Sequence, residues 1–231
     1  MSEEDRVQLA NSGPFLAPSK LCDADHPSVA ETALSLGRSC GSAREKAIAV
    51  FHFVRDRILY QMSQFSDTAS DTLASKRGHC YQKANLQIAL LRSLGIPAGF
   101  ITQRIDPGVL RPFLSDQAMS VFGGRAAHAW ACLFLEGRWI DADATFEKPL
   151  LDFALDDHWQ MQEDWDGVRE VTLPAHLLIG EPSQPRAFLY GPEVIPDPTP
   201  EPTLRVLNQR LEAIRAEMEA RGPVEPAGYT A

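Results

Sequence analysis

The sequence predicts an α+β fold in which one buried helix packs against an antiparallel β-sheet. The segment Cys80–Leu94 is apolar around most of its circumference and has clear signals at both ends, which is typical of a buried helix. Two strand-like runs, 127–135 and 138–143, are separated only by Glu136-Gly137, the length of a tight hairpin. A third strand-like run, 99–105, follows the helix directly.

The N-terminal part of the chain predicts two helices after an irregular start. Residues 1–27 are rich in Pro, Asp and Ser and predict little regular structure. Residues 28–39 predict a short helix. Ser42 and Glu45 then match a capping box, in which each side chain accepts a backbone N–H at the helix start. The helix that they open is expected to reach Tyr60, because apolar residues recur every three or four positions.

The buried helix is bounded by recognisable stop residues. Before it, the polar stretch 61–76 predicts a brief turn capped by Ser70. At its end, Gly95 stands where a left-handed residue terminates a helix, and Pro97 prevents continuation. Beyond the strand at 99–105, Pro and Gly residues predict an irregular loop through Gly124.

The hairpin turn fixes a register for the two strands. If Glu136-Gly137 is a two-residue turn, Leu135 pairs with Arg138, and Trp139 lies opposite Phe134. A shift by one residue would move every side chain to the other face, so this register can be tested residue by residue.

The same register places a histidine beside a carboxylate. His128 becomes the diagonal neighbour of Asp143 on one face, within reach of a side-chain hydrogen bond. Asp141 shares that face and is the rival, but it lies two residues further along the strand. Asp143 could also serve only to cap a turn with Thr145.

The C-terminal part of the chain predicts an appended helix. Residues 150–195 predict further strands with long loops. The Pro-rich stretch 196–202 predicts a stiff linker, and 203–231 an accessory helix with a tail, which leaves 1–195 as the catalytic domain. The helix carries one apolar stripe: Leu204, Leu207, Leu211, Ile214 and Met218. We expect this stripe to dock on its own domain, with homodimer formation as the alternative.

Composition narrows the class of protein. The chain has 231 residues, a net charge of −9 and scattered basic residues, which argues against a nucleic-acid partner. No apolar run is long enough to span a bilayer, and the N-terminus lacks a secretory signal, so we expect a cytoplasmic protein that does not bind membranes. Four cysteines with no CxxC pair predict neither a disulfide scaffold nor a zinc site.

Cys80 is the candidate nucleophile. It begins a helix, where unpaired N–H groups and the positive end of the helix dipole stabilise a thiolate. Gly78 would let a substrate approach the backbone closely. A lone cysteine is more often a small buried side chain, but a nearby histidine with an orienting carboxylate favours catalysis.

Two segments together resemble the transglutaminase-like superfamily. GHCYQKANLQIALLRSLGIPAGF, from Gly78, is similar to its nucleophile segment, and HAWACLFLEGRWIDADAT, from His128, to its second segment. The resemblance covers roughly residues 28–150 and implies a papain-like core with a Cys80–His128–Asp143 triad. It also implies a bacterial branch with a GHCxxKA motif, which acts on peptide, amide or amine substrates through a thioester.

Several functional alternatives remain open. Hydrolysis of an amide or peptide bond is the first choice, acyl transfer to an amine the second, and a degenerate binding or scaffold module the third. Lys83, one helical turn after Cys80, could support the thiolate or a substrate carboxylate, or be a solvated helix residue. The chain lacks GxSxG, GxxxxGK[ST], GxGxxG and HExxH motifs, so we expect no cofactor and no metal, including at His79.

Overall fold

The computed structural model describes residues 13–63, 66–113, 126–155, 165–194 and 201–222. Its helices are α1 (Pro27–Gly37), α2 (Ala43–Arg57), α3 (Ala69–Ser75), α4 (Cys80–Ser93), α5 (Lys148–Leu155) and α6 (Glu201–Arg221). Its strands are β1 (Leu59–Tyr60), β2 (Arg77–Gly78), β3 (Ala98–Ile105), β4 (Ala126–Leu135), β5 (Arg138–Ala142) and β6 (Leu178–Ile179). Short 3-10 turns lie at Gly13–Phe15, Pro107–Leu110 and Ala175–Leu177.

Helix α4 is the centre of the molecule. It packs against β3 and β4 on one side and against α1, α2 and α3 on the other, so that residues 82–92 are all buried. Gly95 has a φ of 75°, and its N–H donates to the carbonyl of Arg92, while Ile96 donates to that of Leu91. These two bonds form the Schellman motif, which confirms the predicted stop.

A four-stranded antiparallel sheet covers α4. The strand order is β5-β4-β3-β6, and the hairpin pairs Leu135 with Arg138 and Phe134 with Trp139, as predicted. Glu136 and Gly137 both have positive φ, at 51° and 85°, which matches the right-handed twist of the flanking strands. The predicted α+β architecture is therefore confirmed: a buried helix on an antiparallel sheet.

A second apolar cluster lies beside this core, where α5 and α6 pack against each other. Three residues of the predicted stripe on α6, Leu211, Ile214 and Met218, are buried there with Tyr60 and Phe146. The helix thus docks on its own chain. The side chains of Leu204 and Leu207 lie outside the described residues.

Local details near the N-terminus differ from the predictions. Ser42 accepts the N–H of Glu45 as expected, but the Glu45 carboxylate accepts the N–H of Gly41 instead of closing a capping box. Helix α2 ends at Arg57, before Tyr60, because residues 59–60 pair in parallel with β2.

The polar stretch before β2 was also predicted incompletely. It contains a full helix, α3, and the N-cap is Thr68 rather than Ser70. Thr68 and Asp71 form a reciprocal capping box, so the capping signal lies two residues before Ser70.

The C-terminal predictions need two corrections. Within the described residues 150–155 and 165–194, β6 is the one strand of those expected, and a helix, α5, occupies Lys148–Leu155. Helix α6 begins at Glu201, so the last two residues of the expected linker are helical.

Several predictions lie outside the described residues: the lead-in at 1–12, the loop at 114–125, residues 156–164, linker residues 196–200 and the tail at 223–231. Over the described ranges, no helix is long and apolar enough to cross a membrane.

Candidate active site

Cys80 is the first residue of α4 and is half-buried. The chain reaches it from β2, whose Gly78 is packed tightly: a Cβ there would stand 2.8 Å from the Cβ of Gln82. Gly78 is buried, and the lack of a side chain there lets the strand approach α4 closely. This close packing fixes the position of Cys80 at the start of the helix.

His79 caps the helix on which Cys80 lies. Its Nδ1 accepts the N–H of Tyr81 at 3.1 Å, so that nitrogen is unprotonated while the cap is formed. The same Nδ1 lies 3.9 Å from the sulfur of Cys80 and can accept a thiol proton but cannot donate one to a thiolate. His79 therefore orders the helix start.

His128 and Asp143 are joined by a short hydrogen bond. The Nε2 of His128 lies 2.7 Å from Oδ2 of Asp143, and both residues are buried. The second oxygen of Asp143 accepts the N–H of Thr145 at 3.0 Å. Asp143 thus both caps the turn with Thr145 and orients the imidazole, the two roles that the sequence offered as alternatives.

Because Nε2 of His128 is bonded to Asp143, Nδ1 is the ring nitrogen that remains available to the thiol of Cys80. Burial alone would raise the pKa of Cys80, but its interactions with His128, and to a smaller extent with His79, lower that pKa to about 6. Burial would lower the pKa of His128, and the Asp143 carboxylate reverses this and raises it. The lowered pKa of Cys80 and the raised pKa of His128 both favour a thiolate–imidazolium pair near neutral pH.

Asp141, the rival carboxylate, has different surroundings. It pairs with Cys132 across the hairpin, and burial raises its pKa to about 6. The carboxylate that touches His128 is Asp143, whose pKa is lowered: the His128 charge outweighs the effect of burial.

Lys83 fits neither role that the sequence suggested for it. It is 1% exposed, and its ammonium donates to the carbonyls of Ile58 at 2.6 Å and Arg55 at 3.2 Å. These carbonyls end helix α2, so Lys83 caps one helix from inside another. Burial lowers its pKa to about 8, and the negative charge of Glu147 opposes this shift most strongly.

A group of residues beside the site was missed. Glu147, four residues after Asp143, is 1% exposed, and its carboxylate accepts the N–H of Tyr60 at 2.8 Å and pairs with Arg215 of α6. The burial of Tyr60 raises its pKa, and a negative Cys80 raises it further. The partners are 68 or more residues apart, so no local spacing could reveal them.

Comparison with known proteins gives two findings. The sequence profile of the transglutaminase-like superfamily matches residues 30–144. A crystal structure from Cytophaga hutchinsonii, of a candidate cysteine protease, aligns with a TM-score of 0.47 and 22% identity over 76% of this chain. The alignment covers 54% of that protein, so this chain spans about half its length. No curated protein matches the sequence.

Proposed function

Because residues 30–144 place this chain in the transglutaminase-like superfamily, we propose that it is a cysteine-dependent hydrolase of amide or peptide bonds. In this proposal Cys80 is the nucleophile, His128 the general acid and base, and Asp143 the residue that orients His128. The observation that carries it is the 2.7 Å bond between buried His128 and Asp143, next to a thiol whose pKa is lowered.

The proposed reaction starts from the thiolate–imidazolium pair. The sulfur of Cys80 attacks the substrate carbonyl, and the resulting oxyanion is held by the N–H of Cys80 at the helix start. The His128 imidazolium donates its proton to the leaving amine, which leaves a thioester on Cys80. His128, now neutral, takes a proton from water, which attacks the thioester, releases the carboxylic acid and restores the pair.

Asp143 has a defined part in this cycle. By accepting from Nε2 it keeps Nδ1 turned toward the sulfur, and its negative charge stabilises the imidazolium that precedes amine release. Its second oxygen is held by the Thr145 N–H, so the carboxylate has little freedom to rotate away.

The test is a screen of peptide, amide and ester substrates with the purified chain, with Cys80→Ala as the control. Loss of turnover in that variant, together with a covalent adduct on Cys80 in the parent, would support the proposal. A parent protein in which Cys80 alkylates no faster than Cys40 would overturn it and favour a degenerate binding module.

Acyl transfer is distinguished in the same screen by adding a primary amine. If the acyl group leaves as free acid even at high amine concentration, the enzyme is a hydrolase. If it leaves as a new amide, the protein is an acyltransferase that uses the same thioester and the same three residues.

A further inference from the structure

Arg215, on the C-terminal helix α6, extends into the interior beside the candidate site. Its side chain is 12% exposed, and its Nε and Nη2 lie 2.7 and 2.6 Å from one carboxylate oxygen of Glu147. Nη2 also donates to the carbonyl oxygen of Tyr60 at 2.5 Å. One guanidinium from the end of the chain therefore touches two segments that are far apart in sequence.

The first segment leads to Cys80. Strand β1 pairs with β2 along one edge, and Tyr60 lies directly opposite Gly78, two residues before the nucleophile. At the other edge of β1, Glu147 accepts the N–H of Tyr60 and Arg215 donates to its C=O. The ion pair thus satisfies the backbone groups that a third strand would otherwise bond.

The second segment leads to Asp143. Glu147 follows Asp143 by four residues, and the turn between them carries Thr145, which bonds the Asp143 carboxylate. With both oxygens of Glu147 engaged by Tyr60 and Arg215, the end of this turn is fixed relative to β1. The strand that leads to the nucleophile and the turn that carries the carboxylate therefore meet at this ion pair.

We propose that Arg215 is a positioning residue for the Cys80–His128–Asp143 site, which joins the nucleophile segment to the carboxylate segment through Glu147 and Tyr60. The inference rests on the proposed function and extends it to the C-terminal helix. That helix is then part of the catalytic unit, and not an accessory element as the sequence suggested.

The chemistry of the pair explains why its loss would reach the site. Without Arg215 the buried carboxylate of Glu147 loses its ion-pair partner and is left with the attraction of the Lys83 ammonium, so the surrounding backbone moves to hydrate it. Here that movement would separate Tyr60 from Glu147 and release the turn that holds Asp143. A looser Asp143 stabilises the His128 imidazolium less, so Cys80 would be a thiolate over a narrower range of pH.

The experiment measures the iodoacetamide labelling rate of Cys80 against pH in the full-length chain. For Arg215→Ala we expect the midpoint to move upward and the rate at pH 7 to fall by about tenfold, as thiolate is lost. Arg215→Lys keeps the positive charge on a single donor nitrogen, and it should recover part of the Cys80 labelling rate. Arg221→Ala, which removes an exposed pair with Glu217 on the same helix, is the matched control and should keep the parent profile.

The outcomes separate the two proposals. If the parent Cys80 labels no faster than Cys40, the proposed function fails whatever Arg215 does. If the parent midpoint is low and folded Arg215→Ala retains it, the helix only adds stability and this inference is wrong. Should Arg215→Ala not fold, the paired Glu147→Met/Arg215→Met variant, which removes both charges of this ion pair together, is read by the same criterion.

Discussion

At the level of single residues, the candidate site depends on which nitrogen of each histidine is protonated. Nε2 of His128 faces Asp143, which leaves Nδ1 for the sulfur. Nδ1 of His79 is occupied by the N–H of Tyr81. Both histidines lower the pKa of Cys80, and His128, which Asp143 holds by its other nitrogen, has the larger effect.

The pH dependence of labelling follows from this arrangement. The pKa of Cys80 is lowered to about 6, so its alkylation rate should be near its plateau at pH 7 and fall as the pH falls through 6. His128→Ala removes the stabilising cation and should move the midpoint upward by about two units, toward that of a free thiol. Mass spectrometry of alkylated protein at a series of pH values measures both.

Two internal controls accompany that measurement. Burial raises the pKa of Cys22 and Cys132, so neither should label in the folded protein. The exposed His176 provides a matched substitution, and His176→Ala should leave the Cys80 midpoint in place. Equal labelling of all four thiols in the folded parent would contradict the assignment.

A second prediction compares the two neighbouring aspartates. Asp143→Asn removes the charge that orients His128 and should lower turnover by about 100-fold or more. Asp141→Asn leaves the bond between Asp143 and His128 in place, so turnover should stay within about threefold of the parent. Steady-state rates on any substrate found in the screen would decide. An equal loss in both variants would argue that Asp143 acts only as a turn residue.

The sequence predicts the contact between His128 and Asp143 because a local feature determines it. His128 and Asp143 lie on strands joined by two residues, so the turn length alone fixes their relation. Tyr60, Glu147 and Arg215 have no such constraint, because their distances along the chain reflect packing of α6 and not a repeat.

At the level of elements, the sequence predicts a helix terminus well when residues next to it end the helix, and misplaces it by a few residues when distant contacts do. The stop of α4 was readable because Gly95 and Pro97 act within one turn. The end of α2 depends on two contacts with distant residues: the pairing of β1 with β2, and the bonds from Lys83 to the carbonyls of Arg55 and Ile58. The sequence around Lys83 contains no pattern which indicates that its ammonium bonds carbonyls of another helix.

The role of Lys83 can be tested by stability. Lys83→Ala leaves the carbonyls of Arg55 and Ile58 without their buried donor and should lower the free energy of unfolding by about 1–3 kcal/mol. Urea denaturation followed by circular dichroism measures the change. The solvent-facing Lys148, which pairs with Asp152, is the control, and its alanine variant should lose about 0.5 kcal/mol or less.

The same variant separates structure from catalysis. Because the ammonium of Lys83 bonds carbonyls and not the sulfur, the pH midpoint of Cys80 labelling should stay where it is in folded Lys83→Ala. A raised midpoint with unchanged stability would restore the view that Lys83 supports the thiolate.

At the level of the whole molecule, the apolar face of α6 bears on the oligomeric state. The buried residues Leu211, Ile214 and Met218 pack against residues of the same chain. That face is therefore covered, and we predict a monomer, with a mass near 25.5 kDa by light scattering at micromolar concentration. A stable dimer that Leu211→Glu dissociates into folded monomers would contradict this.

The distance along the chain between Asp143 and its distant support also affects the order of events in the cell. The ion-pair partner of Glu147, Arg215, lies 68 residues further along the chain and is synthesised later. With ribosomes adding about 5–20 residues per second, the nascent chain exposes Cys80 for several seconds before Arg215 leaves the exit tunnel. During that interval the ion pair between Glu147 and Arg215 cannot form, so the support that we propose for Asp143 is added only after Cys80 has been synthesised.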